Sequence, residues 1–378
     1  MRRFFLIVLD GCGVGALPDA WEYGEDGLLA NTLSHVAEAV GGLHLPTLER
    51  LGFGNITSIT GVQPNPTASA CWGRLAERSK GKDTVTGHWE MMGIVTDPAF
   101  PLFPKGFPPE LVAQVEALMG TKTLGHQPAS GTEVLKTLGE EHLRSGWPII
   151  YTSADSVFQV AAHEEVFGLE RLYACCETLR KQLTVGRVIA RPFVGSKASN
   201  FVRTENRRDW PLLPPQATTL DQLTDARMKT HFIGKPCELF PEAPRQTRQL
   251  TTNNAAHCAA LTEALRGSSA DFIFANLEDF DMLYGHRNDP MGFARLLETF
   301  DRWLGEDFLP HLRAGDLIGI TADHGNDPTT PSTDHSREFA PLLLFGPPLT
   351  TSQALGDLPS FAWWGETILR YLISGELL

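Results

Sequence analysis

The apolar residues of this chain fall into short continuous runs separated by longer amphipathic stretches. Residues 4–9 form the first run, uninterrupted and β-favouring, as expected of a strand covered on both faces. Similar runs occupy residues 149–151, 187–190, 272–277, 317–321 and 342–345. Between the later runs the period changes. Phe293, Leu296, Leu297, Phe300 and Leu304 fall at i, i+3, i+4, i+7 and i+11, a single helical stripe. Strands alternating with helices predict an α/β layer fold with a mainly parallel sheet.

Two proline-rich stretches break this rhythm, residues 97–109 (DPAFPLFPKGFPP) and 210–216 (WPLLPPQ). Proline fixes φ and donates no hydrogen bond, so both read as connections between domains rather than as strand or helix. After the second, Thr219 and Gln222 read as a capping box that restarts a helix. The organisation expected is a discontinuous core, residues 1–96 plus 217–378, with residues 97–216 inserted as a second domain.

Size and composition narrow the possibilities. A chain of 378 residues is long enough for two domains. No apolar run approaches the ~20 residues of a membrane span. The opening MRRFFLIVLD carries two arginines before a short apolar run, but the run ends in Asp10 and no small-residue cleavage site follows. It reads as a buried first strand of a cytosolic protein. Cys12, Cys71, Cys175, Cys176, Cys237 and Cys258 suit neither a zinc ribbon nor a disulfide framework and are expected to be buried thiols. The net charge of −13 excludes broad nucleic-acid binding. An anionic substrate would then need a local positive site.

Candidate chemistry gathers where predicted strands end. The run at 317–321 leads into T-A-D-H-G-N-D-P, placing Asp323 and His324 at its carboxyl end, where ligands of open α/β sheets collect. His335 follows in T-D-H-S-R-E. The run at 272–277 is followed by Asp281 and His286, and the first run ends in Asp10 before the flexible G-C-G-V-G. Taken singly, each residue is more often a cap or a hydrogen-bonded core group. Together they supply three carboxylates and three imidazoles, a donor set that suits manganese or zinc better than calcium. Two divalent ions outweigh three carboxylates, so the site would attract phosphate, and metals roughly 3.5–4 Å apart stabilise an in-line displacement.

A nucleophile is expected in S-K-G-K-D-T-V-T-G-H-W-E, residues 79–90, read as a loop whose amides could face an anion. Thr84 and Thr86 are both candidates, since a bound metal can deprotonate a threonine. A turn followed by a helix cap accounts for the same residue types. From Arg187 to Asp209 six basic residues stand against two acidic ones. Of these, Arg191, Arg203, Arg207 and Arg208 could fork onto a second phosphate or form a solvated face. Lys235 adds a cation at a strand end.

These motifs, with P-A-S-G-T-E at 128–133, the H-E-E segment at 151–165 and G-R-V-I-A-R-P-F-V-G at 186–195, resemble the phosphopentomutase family of the alkaline phosphatase superfamily, in order from residue 4 to about 345. The resemblance implies an alkaline-phosphatase-like three-layer core with an inserted α+β cap domain. It implies Thr84 as the phosphorylated residue and two Mn²⁺ per chain. One ion would be held by Asp10, Asp323 and His324, the other by Asp281, His286 and His335. Ser153, Asp155, Arg191 and Arg207 resemble sugar-phosphate contacts of the cap, and Lys235 a contact of the core. The activity implied is interconversion of ribose 1-phosphate, or 2-deoxyribose 1-phosphate, with the 5-phosphate, in nucleoside catabolism. It would run through a phosphothreonine enzyme and a 1,5-bisphosphate, with a sugar 1,6- or 1,5-bisphosphate as activator. A pentose phosphate is the partner implied, with no nucleic acid, no membrane and no obligatory protein. The chain departs from the family in Gly11 after Asp10, in Arg208-Asp209-Trp210 and in Pro236-Cys237.

Overall fold

In a computed structural model, which describes residues 2–24, 29–153 and 156–377, the chain forms two compact units. One comprises Met1–Pro98 with Leu213–Leu378, the other Ala99–Leu212. The first segment contributes strands β1 (Arg3–Leu9) and β2 (Cys71–Leu75). The second unit holds β3 (Leu124–Pro128), β4 (Ile149–Thr152), β5 (Val157–His163), β6 (Arg187–Val194), β7 (Val202–Arg203) and β8 (Arg208–Pro211). The return to the first unit supplies β9 (Thr230–Ile233), β10 (Gln246–Gln249), β11 (Phe272–Leu277), β12 (Asp316–Thr321), β13 (Ala340–Phe345) and β14 (Ala354–Leu358). Its principal helices are α1 (Thr84–Met91), α2 (Thr219–Asp225), α3 (Asn254–Gly267), α4 (Pro290–Trp303) and α5 (Trp363–Leu369).

The first unit is built on a sheet of order β10-β9-β11-β1-β12-β13-β2-β14. All pairings are parallel except the two made by β13. β1 lies at the centre with every residue buried, which is why its apolar run does not alternate. Phe4 meets Trp364 of α5 on one face, while Phe5 meets Phe308, in the turn after α4, on the other. Helical layers thus cover both sides, and the mainly parallel α/β class expected from the runs is the class observed. At the amino end of β1, Arg3 makes a buried two-pronged pair with Asp316 of β12, both contacts 2.7 Å.

The second unit is α+β, with sheet order β3-β4-β5-β6-β7 and β8 paired to β6. Its strands alternate faces. Ile150, Phe158 and Val188 pack in one apolar cluster, whereas Ile149, Tyr151 and Phe193 pack in another.

Local readings need three corrections. The capping box ahead of α2 is Thr218 with Asp221, one residue earlier than expected, because the Asp221 carboxylate accepts from both Thr218 N (2.7 Å) and Thr218 Oγ1 (2.8 Å). The first proline-rich stretch ends inside a helix, Pro109–Met119, since Pro109 sits in its first turn, where no N–H is needed. Likewise Trp210 and Pro211 of the second stretch belong to strand β8. Five cysteines are buried, Cys258 is partly exposed and all six are free thiols. Among the described residues no helix is long and apolar enough to cross a membrane.

Candidate active site

Four neighbouring strands, β9, β11, β1 and β12, end on the same edge of the sheet. Leu9 is in register with Leu277, and Val8 with Thr321, so the residues following these strands emerge side by side. Asp10 follows β1 directly. Asp281 and His286 sit in short helical turns after β11, and Asp323 and His324 follow β12. Lys235 follows β9 through Gly234, whose φ of 73° only glycine adopts readily. His335 arrives from the segment before β13. All six candidate metal ligands therefore converge, and all but His286 are buried.

Asp281, His286 and His335 form one group in which the donor atoms lie within 4.8 Å of one another; Asp10, Asp281 and His324 form a second. Asp281 thus stands between them. The orientation of the imidazoles is fixed from behind. His286 Nδ1–H donates to the Thr333 carbonyl at 2.6 Å and His335 Nδ1–H to the Lys82 carbonyl at 2.8 Å. Each ring then turns its Nε2 inward, and the two Nε2 atoms are 3.2 Å apart. The hydrogen bond to Asp281, 3.1 Å from His286 Nε2, raises the His286 imidazole above its ordinary value, and a cation bound among these donors would take the place of that proton.

The same conclusion follows around His324. Asp10 Oδ1 lies 3.5 Å and Asp323 Oδ2 3.4 Å from His324 Nε2, yet both carboxylate oxygens are buried without a hydrogen-bond partner. Orphaned carboxylate oxygens in a dry site are costly unless a cation completes them. Burial raises the Asp10 carboxyl to about 6, partly offset by Lys235, and lifts Asp323 well above the usual range, with Asp10 adding to the rise. Burial works the same way on Asp281, but His335 and His286 hold it well below its ordinary value. Burial keeps His324 neutral, with His335 adding to the effect. The donor set, its orientation and its orphan oxygens fit two divalent ions.

Thr84 is the first residue of α1, and its Oγ1 lies 3.2 Å from His324 Nε2 and 3.4 Å from Lys235 Nζ. Lys235 Nζ also donates to Asp10 Oδ2 at 2.5 Å. The segment is not the open anion-binding loop expected. Asp83 caps α1, accepting from the amides of Val85 and Thr86. Thr86 is the other half of that cap, buried, with its hydroxyl donating to the Asp83 carbonyl at 2.9 Å. Of the two threonines, only Thr84 faces the cluster.

Two supporting residues escaped the sequence reading. Asn326 is fully buried and donates through Nδ2 to Asp281 Oδ1 at 2.6 Å. Its side chain lies so near Gly11 and Gly285 that a Cβ on either would press on it, and Gly11 also has φ 73°. His88 donates through Nδ1 to the Thr84 carbonyl at 2.9 Å and is kept neutral by burial, its pKa lowered to about 3. Both sit inside quoted motifs, T-A-D-H-G-N and T-G-H-W-E, but hydrogen bonds between distant segments leave no trace in spacing.

In the second unit, Arg207 makes a two-pronged pair with Asp209, each contact 2.7 Å, and Arg191 Nε donates to Gln159 at 3.0 Å. Burial raises the Tyr151 hydroxyl pKa, while Arg203, Arg191 and Arg207 are its charged neighbours, so three of the four arginines collect in one place. Arg208 instead stacks on Trp210 and pairs with Glu177. Ser153 follows β4, half-buried; Asp155 lies outside the described residues.

An α/β sheet with a dinuclear donor set at its carboxyl edge defines a class, and the family model described as the Metalloenzyme superfamily matches residues 2–375. Within it, the chain is 53% identical over 370 residues to the phosphopentomutase of Syntrophotalea carbinolica, covering 97% of this chain and 94% of that one. It is 50% identical over 381 residues to the phosphopentomutase of Caldanaerobacter subterraneus subsp. tengcongensis, covering 100% and 96%. The chain belongs to the phosphopentomutase family of this metalloenzyme superfamily and is an isomerase. Its fold is similar to that of the PH0037 protein from Pyrococcus horikoshii, with a TM-score of 0.52 at 17% identity over 100% of this chain and 99% of the other.

Proposed function

We propose that the protein interconverts ribose 1-phosphate, or 2-deoxyribose 1-phosphate, with the corresponding 5-phosphate through a phosphorylated Thr84. The observation that carries this reading is the Thr84 hydroxyl, 3.2 Å from His324 at the mouth of the donor cluster and within reach of Lys235. Asp10, Asp323 and His324 would hold one divalent ion and Asp281, His286 and His335 the other. Two bound Mn²⁺ would supply the positive field that attracts a phosphoryl group and steadies its negative charge in transfer.

The reaction begins with Thr84 carrying the phosphoryl group. The free hydroxyl of the pentose phosphate attacks phosphorus, the bond to Thr84 Oγ1 breaks, and the hydroxyl proton passes to the threonine oxygen. A 1,5-bisphosphate results. Turned end for end, it returns its other phosphate to Thr84 and leaves as the isomer. Lys235, 3.4 Å from Thr84 Oγ1, would steady the threonine oxygen while it is bare. Neutral His88 fixes the Thr84 carbonyl and with it the start of α1. In the inserted cap, Arg191 and Arg207 would clasp the phosphate that is not reacting, and Ser153 and Asp155 would touch the sugar. A sugar 1,6- or 1,5-bisphosphate would load Thr84 at the outset, and exclusion of water would spare the phosphothreonine from hydrolysis.

The test is Thr84→Ala. With Mn²⁺ bound as in the parent, the variant should take up no phosphoryl group from a sugar bisphosphate and lose conversion of ribose 1-phosphate to 5-phosphate. Normal turnover in Thr84→Ala would eliminate the covalent step. Release of inorganic phosphate by the parent at the rate of isomer formation would mark a phosphatase instead.

A further inference from the structure

Residues 76–83 lead from β2 to Thr84 and carry no regular secondary structure. A partly buried stretch without a ladder must find partners for its peptide groups elsewhere. Four of its carbonyls are met by one short segment, residues 335–337. Arg337 is 1% exposed. Its Nη2 donates to the Glu77 carbonyl at 2.8 Å. Its Nη1 lies 2.9 Å from the Ser79 carbonyl, 2.6 Å from the Gly81 carbonyl and 2.7 Å from Glu77 Oε2. The next carbonyl, that of Lys82, accepts from His335 Nδ1. One three-residue segment thus bears a proposed metal ligand at one end and, at the other, the side chain that ties down the approach to Thr84.

We infer that Arg337 is a positioning residue, which sets the Thr84 hydroxyl against the metal cluster by clamping the backbone of Glu77, Ser79 and Gly81 to the segment that carries His335. The inference rests on Thr84 as the phosphorylated residue. The guanidinium is engaged on its other sides too. Its Nε and Nη2 face the Asp19 carboxylate at 3.2 and 3.0 Å, and the Tyr23 ring centroid lies 4.8 Å from it. It is therefore not free to hold a phosphate, and its effect on the reaction passes through the backbone it grips. Glu90 grips the same stretch through the amides of Arg78 and Ser79, at 3.0 and 2.6 Å, but Gly81, closer to Thr84 in the chain, is tied by Arg337. A rigid planar fork suits this work, because carbonyls from three peptides are fixed by donors that cannot move independently.

Two variants of the full-length enzyme test this. Arg337→Lys keeps a cation beside Glu77 and Asp19 but loses the fork. Arg337→Met combined with Glu77→Gln removes the clamp without stranding a buried carboxylate. Each is assayed with saturating Mn²⁺ and a sugar bisphosphate, and phosphoryl uptake by Thr84 is followed by intact mass after brief mixing with the bisphosphate. A misplacement of about 1 Å costs roughly 10²-fold in rate, so kcat of the double variant should fall about 10²-fold and that of Arg337→Lys about tenfold, with KM for ribose 1-phosphate within about threefold of the parent. Phosphoryl uptake should slow by the same factors, and excess Mn²⁺ should repair neither loss. Parent-like kcat per folded enzyme, a loss confined to KM, or recovery in excess Mn²⁺ would each overturn the inference. If the double variant does not fold, the same three outcomes in Arg337→Lys decide it. A parent enzyme that takes up no phosphoryl group on Thr84 would instead remove the covalent step itself, and the inference with it.

Discussion

Replacing Asn326 by alanine removes the amide that donates to Asp281 and lies 3.3 Å from His286 Nδ1, while every proposed ligand stays in the chain. The amide of Asn326 donates to Asp281 Oδ1 at 2.6 Å from a fully buried position, and Asp281 is common to both groups of donors. A hydrogen bond to a carboxylate contributes about 1.5–3 kcal/mol, which corresponds to roughly 10- to 150-fold in an equilibrium constant. Because Asp281 must lie in one orientation to serve both groups, most of that loss should appear in metal affinity. The Mn²⁺ concentration that half-saturates Asn326→Ala should therefore rise about 10- to 100-fold, in line with other residues that steady a ligand from behind. The measurement is a Mn²⁺ titration followed by the resonance of the free ion, with turnover recorded at each point. Saturating metal should restore turnover to within a few-fold of the parent. A shift below about threefold, or a turnover deficit that excess Mn²⁺ does not repair, would refute the idea that Asn326 works by holding Asp281.

Lys235→Met should lower turnover by about 10²- to 10³-fold, with Mn²⁺ binding unchanged or tighter, since the ammonium 2.5 Å from Asp10 competes with a metal for that carboxylate. Parallel kinetic and metal titrations check this, and weaker metal binding would contradict it. Arg3→Met leaves the buried Asp316 carboxylate without its cation and with only the Arg313 amide to pair with, so urea denaturation should report a loss of about 3–5 kcal/mol, largely recovered when Asp316→Leu is added. Gly131→Ala should destabilise the inserted unit by about 1–3 kcal/mol, because its methyl group would collide with the Arg203 guanidinium and the Tyr151 hydroxyl. An unchanged calorimetric transition would mean that Arg203 moves aside freely.

The strands were legible because buried parallel strands carry continuous apolar runs, and each of the six runs read from the sequence lies within an observed strand. The convergence of Asp10, Asp281 and Asp323 was legible for a related reason: β11, β1 and β12 are adjacent, and each carboxylate follows its strand within a few residues. What spacing could not settle was the choice between chemically similar neighbours. Thr84 and Thr86 differ only in which side of α1 they occupy, and Thr218 and Thr219 only in which hydroxyl meets Asp221. Asn326 and His88 were invisible because their work is done on Asp281 and on the Thr84 carbonyl, partners fixed by folding. Arg203 and Arg208 looked alike in sequence, yet one lies beside Tyr151 and the other stacks on an indole.

The central strand of the metal-bearing sheet has a consequence for how the chain is made. β1 precedes the inserted unit, but both its partners follow that unit, with Phe4 paired to Phe272 and Leu317. During synthesis, Ala99–Leu212 emerges whole and can collapse while it leaves the ribosome. The earlier strand must meanwhile wait with FFLIVL unpartnered until β11 is delivered. A nascent chain stalled before residue 272 would carry a finished inserted unit and a sticky, orphaned strand, the kind of species that holdase chaperones retain.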